Sequence, residues 1–116
     1  MQHQGCWQEV VDSERLVKNP FASVLMLVYN HEAYIEIAVQ SVVAQNTEYA
    51  FEIVVGDDFS TDNSRRILLD LQQRYPEKIR LILSSKNLGM AENFKNLVCS
   101  ARGKYIAFCE GDDYWL

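Results

Sequence analysis

The chain has 116 residues, of which 48% are hydrophobic and 23% charged, and a formal net charge of -5. That length suits one domain able to bury roughly two-thirds of the surface its unfolded chain exposes. The acidic balance argues against nucleic acid or an anionic membrane as the main partner, although a metal ion or a helix N-terminus supplies local positive potential for an anionic ligand.

Residues 1–21 read as a leader. Trp7, Val10, Val11 and Val17 form one weak helical stripe ended by Asn19-Pro20, and the alternative is a partly disordered segment. The domain proper spans 22–116. Val24 to Val28 is a continuous apolar run, the pattern of a strand buried on both faces, and Tyr29-Asn30-His31-Glu32 closes it. Tyr34, Ile37, Ala38, Ser41 and Val42 follow at helical spacing. Phe51 to Val55 is a second apolar run, closed by Gly56-Asp57-Asp58-Phe59-Ser60-Thr61-Asp62. Ile67, Leu68, Leu71 and Tyr75 mark a second helix stopped by Pro76. Ile79 to Leu83 is a third run, and Ser84 to Gly89 a loop. Ala91, Phe94, Leu97, Val98 and Ala101 mark a third helix up to Gly103, expected as its C-cap, before the fourth run, Tyr105 to Cys109.

Strands alternating with helices predict an α/β fold with an open doubly wound, mainly parallel, Rossmann-like sheet. For the four predicted strands the order 3-2-1-4 puts the reversal between first and fourth, and ligands bind beyond the carboxyl ends at such a reversal. Leu27 to Asn30 and Glu110 to Asp113 lie there, flanked by Asp57 and Asp58. Carboxylates crowded at one strand end repel unless a cation sits among them, which points to a divalent metal.

Cys6, Cys99 and Cys109 show neither CxxC nor Cys/His spacing, so neither a disulfide framework nor a zinc site is indicated and a reducing, cytoplasmic compartment is expected. No window approaches the roughly 18 apolar residues of a spanning helix.

Tyr29-Asn30-His31-Glu32 within Val24 to Gln45, then Gly56 to Asp62, then Lys86-Asn87-Leu88-Gly89, then Gly103-Lys104-Tyr105 leading to Glu110-Gly111-Asp112-Asp113 together resemble the family-2 glycosyltransferases of the GT-A fold, over about residues 22–116. The resemblance implies transfer of a sugar, with inversion, from a nucleotide-diphosphate sugar to a saccharide or lipid-linked acceptor, assisted by Mg2+ or Mn2+. It makes Asp113 the firmest metal contact and places Asp112 on the metal or the ribose, with Glu110 in the position of the first acid of the DxD-type motif. One of Asp57 and Asp58, by preference Asp58, takes the nucleotide base, against the plainer reading that both cap a helix. Leu27-Val28 stands where the family has Pro-Thr, so a contact from Leu27 runs through backbone. Tyr29 packs on the base or in the core. Glu32 lies near the donor or at a solvated helix start. Lys86, Asn87 and Gly89 form a loop over the nucleotide, with Asn93 just beyond. Ser60, Thr61 and Asp62 read as helix N-terminal residues, and His31, with no partner at metal spacing, as a residue without a role.

In that family the general base lies well downstream of the DxD-type motif, and this chain ends three residues past Asp113. A truncated, donor-binding half lacking the acceptor half is therefore expected, with the general base beyond residue 116, activity of the fragment alone open, and a longer parent peripheral to the inner face of a membrane. The fourth strand is then an exposed edge that self-associates or is covered by the leader. The alternative is a non-catalytic nucleotide-binding or regulatory α/β module. Its receiver-like form is disfavoured because the acidic pairs follow strands two and four, and a dinucleotide fold because no GxGxxG follows the first strand.

Overall fold

A computed structural model of the chain describes residues 7–110. The elements are β1 (Trp7–Val10), β2 (Ala22–Val28), α1 (Ile35–Val43), β3 (Phe51–Asp57), α2 (Ser64–Arg74), β4 (Ile79–Ser84), α3 (Met90–Ser100) and β5 (Tyr105–Phe108). They build one sheet in the order β1-β4-β3-β2-β5. β4, β3, β2 and β5 run parallel, in the expected 3-2-1-4 order, and β1 lies antiparallel on the outer edge of β4.

β1 corrects the expected helical stripe. Trp7 pairs with Ser84 and Val10 with Leu81, and alternation sends Trp7 and Glu9 to one face of the sheet while Val10 packs on the other. The open edge of β4 supplies the backbone partners that a lone helix of this length lacks. The edge covered is β4's, so among the described residues the leader does not pair with β5.

β2 and β3 read as unbroken apolar runs because both faces are buried. Val24, Met26 and Val28 pack under α1 and α2 with Ile35, Ala38, Val39, Val42, Leu68 and Leu71. Leu25 and Leu27 join Val54, Ile82 and Leu97 of α3 on the opposite face. The buried stripe of α1 is rotated from the expected one: Ile35 and Val39 are buried, while Tyr34 and Ile37 stay 57% and 61% exposed. Along β5, Ile106 and Phe108 are exposed on the α3 face, as are Phe94 and Val98 of α3, while Tyr105 is exposed on the other face against Phe21. The Phe94 and Phe108 rings meet edge to face at 5.7 Å. Gly103 lies past the end of α3, whose C-cap is Ala101.

A buried ionic cluster ties the strand starts together on the α3 face. Arg80 donates to Glu9 (2.7 Å), to Glu52 (3.1 Å) and to the Ser100 carbonyl (2.7 Å). Glu52, fully buried, also accepts the Ser23 hydroxyl at 2.6 Å and the Arg102 backbone N–H and Nε, each at 2.8 Å. Ser23 Oγ accepts the Gly103 N–H, and Arg102 reaches back to the Val17 carbonyl. Burial pushes the Glu52 carboxyl up, but its bonds from Ser23 and Arg102 and the charge of Arg80 outweigh that and hold it below the usual glutamate range. Burial likewise opposes the charge on Arg80, and Glu9 and Glu52 reverse it. The cluster thus joins β1, β2, β3 and β4 to the turn that launches β5.

Candidate functional site

The loops after β2 and β3 lock together at the carboxyl end of the sheet. Asn30, at φ 55, turns its side-chain oxygen to accept the backbone N–H groups of Thr61 (2.8 Å) and Asp62 (3.3 Å). Asparagine tolerates this left-handed backbone better than most residues. Returning bonds run from Asn30 N to Ser60 Oγ (3.0 Å), from His31 N to Ser64 Oγ (2.8 Å) and from Glu32 N to Asp62 Oδ2 (3.1 Å). Glu32 Oε1 accepts the Asn63 N–H at 3.2 Å. Asp62 meets the expectation of helix N-terminal chemistry, accepting the Ser64 N–H at 2.9 Å. Slight burial pushes its carboxyl up, but the bonds from Ser64 and Glu32 hold it below the usual aspartate range. Ser60 and Thr61 instead serve the opposing loop.

The acidic pair after β3 divides by strand alternation. Asp57 is fully buried, held by Arg65 through Nε (3.0 Å) and Nη2 (2.8 Å) and by the Ser60 backbone N–H (3.1 Å) and hydroxyl. Its carboxylate is thus engaged within the protein, and Asp57, expected among the substrate-binding residues, does not line the pocket between these loops and α3. Asp58 projects the other way. Its Oδ1 accepts the Leu88 N–H at 2.7 Å and its Oδ2 the Gly89 N–H at 2.9 Å. Asn87 donates to its carbonyl at 3.4 Å, so the Lys86–Gly89 loop folds around this one residue. Gly89 does so at φ 88, a backbone conformation that a side chain would strain. Phe59, next along, holds φ 61 with its ring 5.9 Å from the Arg65 guanidinium. For a bulky residue that backbone costs about 1–2 kcal/mol.

Between these loops and α3 opens a pocket of about 400 Å³. Leu27, Val28 and Tyr29 come from the end of β2, Asp58 from β3, Asn87, Gly89, Met90 and Asn93 from the approach to α3, and Glu110 from beyond β5. Asn93 is buried, donating to the Gly56 carbonyl at 3.0 Å. A Cβ on Gly56 would stand 2.5 Å from Asn93 Oδ1 and 2.8 Å from Leu97, so glycine lets α3 bring Asn93 to the pocket. Of the residues expected at the site, Leu27, Tyr29, Asp58, Asn87, Gly89 and Asn93 meet here, whereas Glu32, Asp57 and Lys86 stand outside the lining. Asp112 and Asp113 lie outside the described residues. Val28, His31 and Met90 were missed, because periodicity marks buried faces and carries no signal for which loop residue faces a cavity. The lining holds the carboxylates of Asp58 and Glu110 and neither lysine nor arginine. Among the described residues, no group of three or more His, Cys, Asp or Glu side chains is placed to hold a metal ion.

The family model described as Glycosyl transferase family 2 matches residues 23–116. This chain belongs to that family. An uncharacterized protein of Mycobacterium tuberculosis, Rv1520, is 45% identical over 93 residues, covering 80% of this chain and 27% of the relative. The crystal structure of S. aureus TarS 1–349 in complex with UDP superposes with a TM-score of 0.69 at 29% identity, over 80% of this chain and 28% of that one. The mannosyltransferase PcManGT from Pyrobaculum calidifontis, solved in complex with GDP-Man and Mn2+, gives a TM-score of 0.74 at 22% identity over 84% of this chain and 29% of that one, a likeness of fold. The chain thus spans about a quarter of the length of such relatives.

Proposed function

We propose that this chain binds the nucleotide-sugar donor of a glycosyltransferase that moves a sugar, with inversion, from a nucleotide diphosphate to a saccharide or lipid-linked acceptor. The observation that carries the reading is Asp58, held by two backbone N–H groups at the wall of a 400 Å³ pocket where the sheet reverses direction. A carboxylate offers about four lone-pair sites, so Asp58 keeps acceptor capacity for the imide N–H of a uracil or thymine. Tyr29, 45% exposed at the same wall, offers a ring face to the base. TarS, the relative of similar fold at 29% identity, was crystallised with UDP, which supports a nucleotide in this place.

A divalent cation, Mg2+ or Mn2+, fits the charges. A diphosphate entering a pocket lined by Asp58 and Glu110, without lysine or arginine, meets only negative charge. Asp113 and Asp112, just past Glu110 in the chain, are the residues that would hold the ion. When bound, it supplies Lewis-acid stabilisation of the departing phosphate. The non-catalytic alternative is not favoured, given the family to which the chain belongs.

Titration of UDP, GDP and dTDP by calorimetry, with Mn2+ and then with a chelator, tests the reading. One of the three is expected to bind with Mn2+ and to weaken at least about tenfold on chelation or in Asp113→Asn. Absence of binding under every condition would overturn it.

We also propose that the chain self-associates through β5. Among the described residues no strand pairs with the outer edge of β5, and Ile106, Phe108, Phe94 and Val98 extend an exposed apolar surface beside it. Light scattering over a concentration series should show a dimer that Ile106→Lys dissociates. A monomer at all concentrations would sink this second proposal.

A further inference from the structure

His31 lines the pocket yet has no part in the base contact or the metal set described above. Its backbone is anchored on both sides. The backbone N–H groups of Asn30, His31 and Glu32 all donate to side chains of the opposing loop and the first residue of α2. The ring is oriented too, since Nδ1 accepts the Tyr29 N–H at 3.4 Å. With Nδ1 accepting, the neutral ring carries its proton on Nε2.

Each neighbouring amide has one of its two N–H donors committed to a backbone carbonyl. Asn93 Nδ2 donates to the Gly56 carbonyl and Asn87 Nδ2 to the Asp58 carbonyl. The His31 Nε2–H has no protein partner among the described residues. Among the described residues His31 is the only basic side chain in the lining, in a pocket whose carboxylates are Asp58 and Glu110. Its loop is bound to the start of α2, on the opposite face of the sheet from α3.

We propose that His31 is a donor-binding residue whose Nε2–H hydrogen-bonds an anionic oxygen of the nucleotide diphosphate. An anionic oxygen is the partner that makes such a bond charge-assisted, and the base edge is served from the Asp58 side. This inference rests on the donor-pocket reading, and its test separates the two. UDP with Mn2+, and uridine alone, are titrated into the wild-type chain, His31→Ala and His31→Gln, with GDP and dTDP alongside and thermal melting as a check on folding. His31→Ala should weaken UDP about tenfold and leave uridine affinity and melting unchanged. His31→Gln, which keeps an N–H donor at similar reach, should recover part of the loss. Unchanged UDP affinity in His31→Ala, or equal weakening of UDP and uridine, would overturn the inference while leaving the donor pocket standing. Failure of the wild-type chain to bind any of the three diphosphates would overturn the donor-pocket reading and this inference with it.

Discussion

Arg80→Met is expected to lower the stability of the chain by about 3–5 kcal/mol in denaturant unfolding, because it strands two buried carboxylates without their shared cation. Arg80 is 7% exposed, Glu9 8% and Glu52 0%, so water cannot replace the guanidinium. Against a total stability of about 5–15 kcal/mol for a domain, the loss is a large fraction. Arg102→Met should be milder, since the Arg102 side chain is 37% exposed and Arg80 still faces Glu52. The same cluster sets an acid sensitivity. The Glu52 carboxyl is held below the usual glutamate range in the folded chain. Its contribution is therefore complete above the unfolded-state value and is lost as pH falls through the lowered folded one. Asp62, lowered as well, adds in the same direction. Unfolding followed down the acid range should show stability falling with pH in the wild type and a flatter profile in Arg80→Met. A loss under about 1 kcal/mol in Arg80→Met would be no more than an average substitution produces and would remove the cluster as a determinant of the fold.

Asp58→Asn acts at the other end of the strands and on function. The carboxylate binds the Leu88 and Gly89 N–H groups with separate oxygens, and a carboxamide would turn its NH2 toward one of them. Loss of a charge-assisted bond and exposure of a frustrated donor amount to about 2–3 kcal/mol. The expected result is loss of hydrogen-exchange protection at the Leu88 and Gly89 amides, with UDP affinity in the presence of Mn2+ reduced more than about tenfold. Asp57→Asn provides the contrast. It loosens the Arg65 contact and lowers stability, while Leu88 and Gly89 stay protected. Retained protection of both amides in Asp58→Asn would show that the loop is held by something else.

Much of this architecture was legible from residue order. Val24 to Val28, Phe51 to Val55 and Ile79 to Leu83 are strands because an apolar run of that length survives only when buried on both faces. Helices between them dictated parallel pairing and the placing of ligand loops at one end of the sheet. Asp58, Asn87 and Gly89, named from motif and position, do converge on one pocket. The exceptions have physical reasons. Trp7–Val10 became a strand because its partner, the β4 edge, is contributed from more than seventy residues away, as the pairing of Trp7 with Ser84 shows. No local periodicity reports such a partner. In α1 the apolar positions Tyr34 and Ile37 competed with Ile35 and Val39, and contact with β2 and α2 settled which pair was buried.

The amino-acid order by itself determined four of the five strands, the three helices, the parallel order of those four strands and the acidic residues at their ends, because those follow from periodicity and turn chemistry along the chain. Only the tertiary structure decided that Asp57 locks onto Arg65 while Asp58 gathers a loop at the pocket, that Glu52 and Arg80 share a buried ionic cluster, and that His31 lines the pocket. Alternation guarantees that neighbouring strand residues point to opposite faces. Which face is the pocket depends on pairings between residues distant in the chain, and those exist only once the sheet has formed.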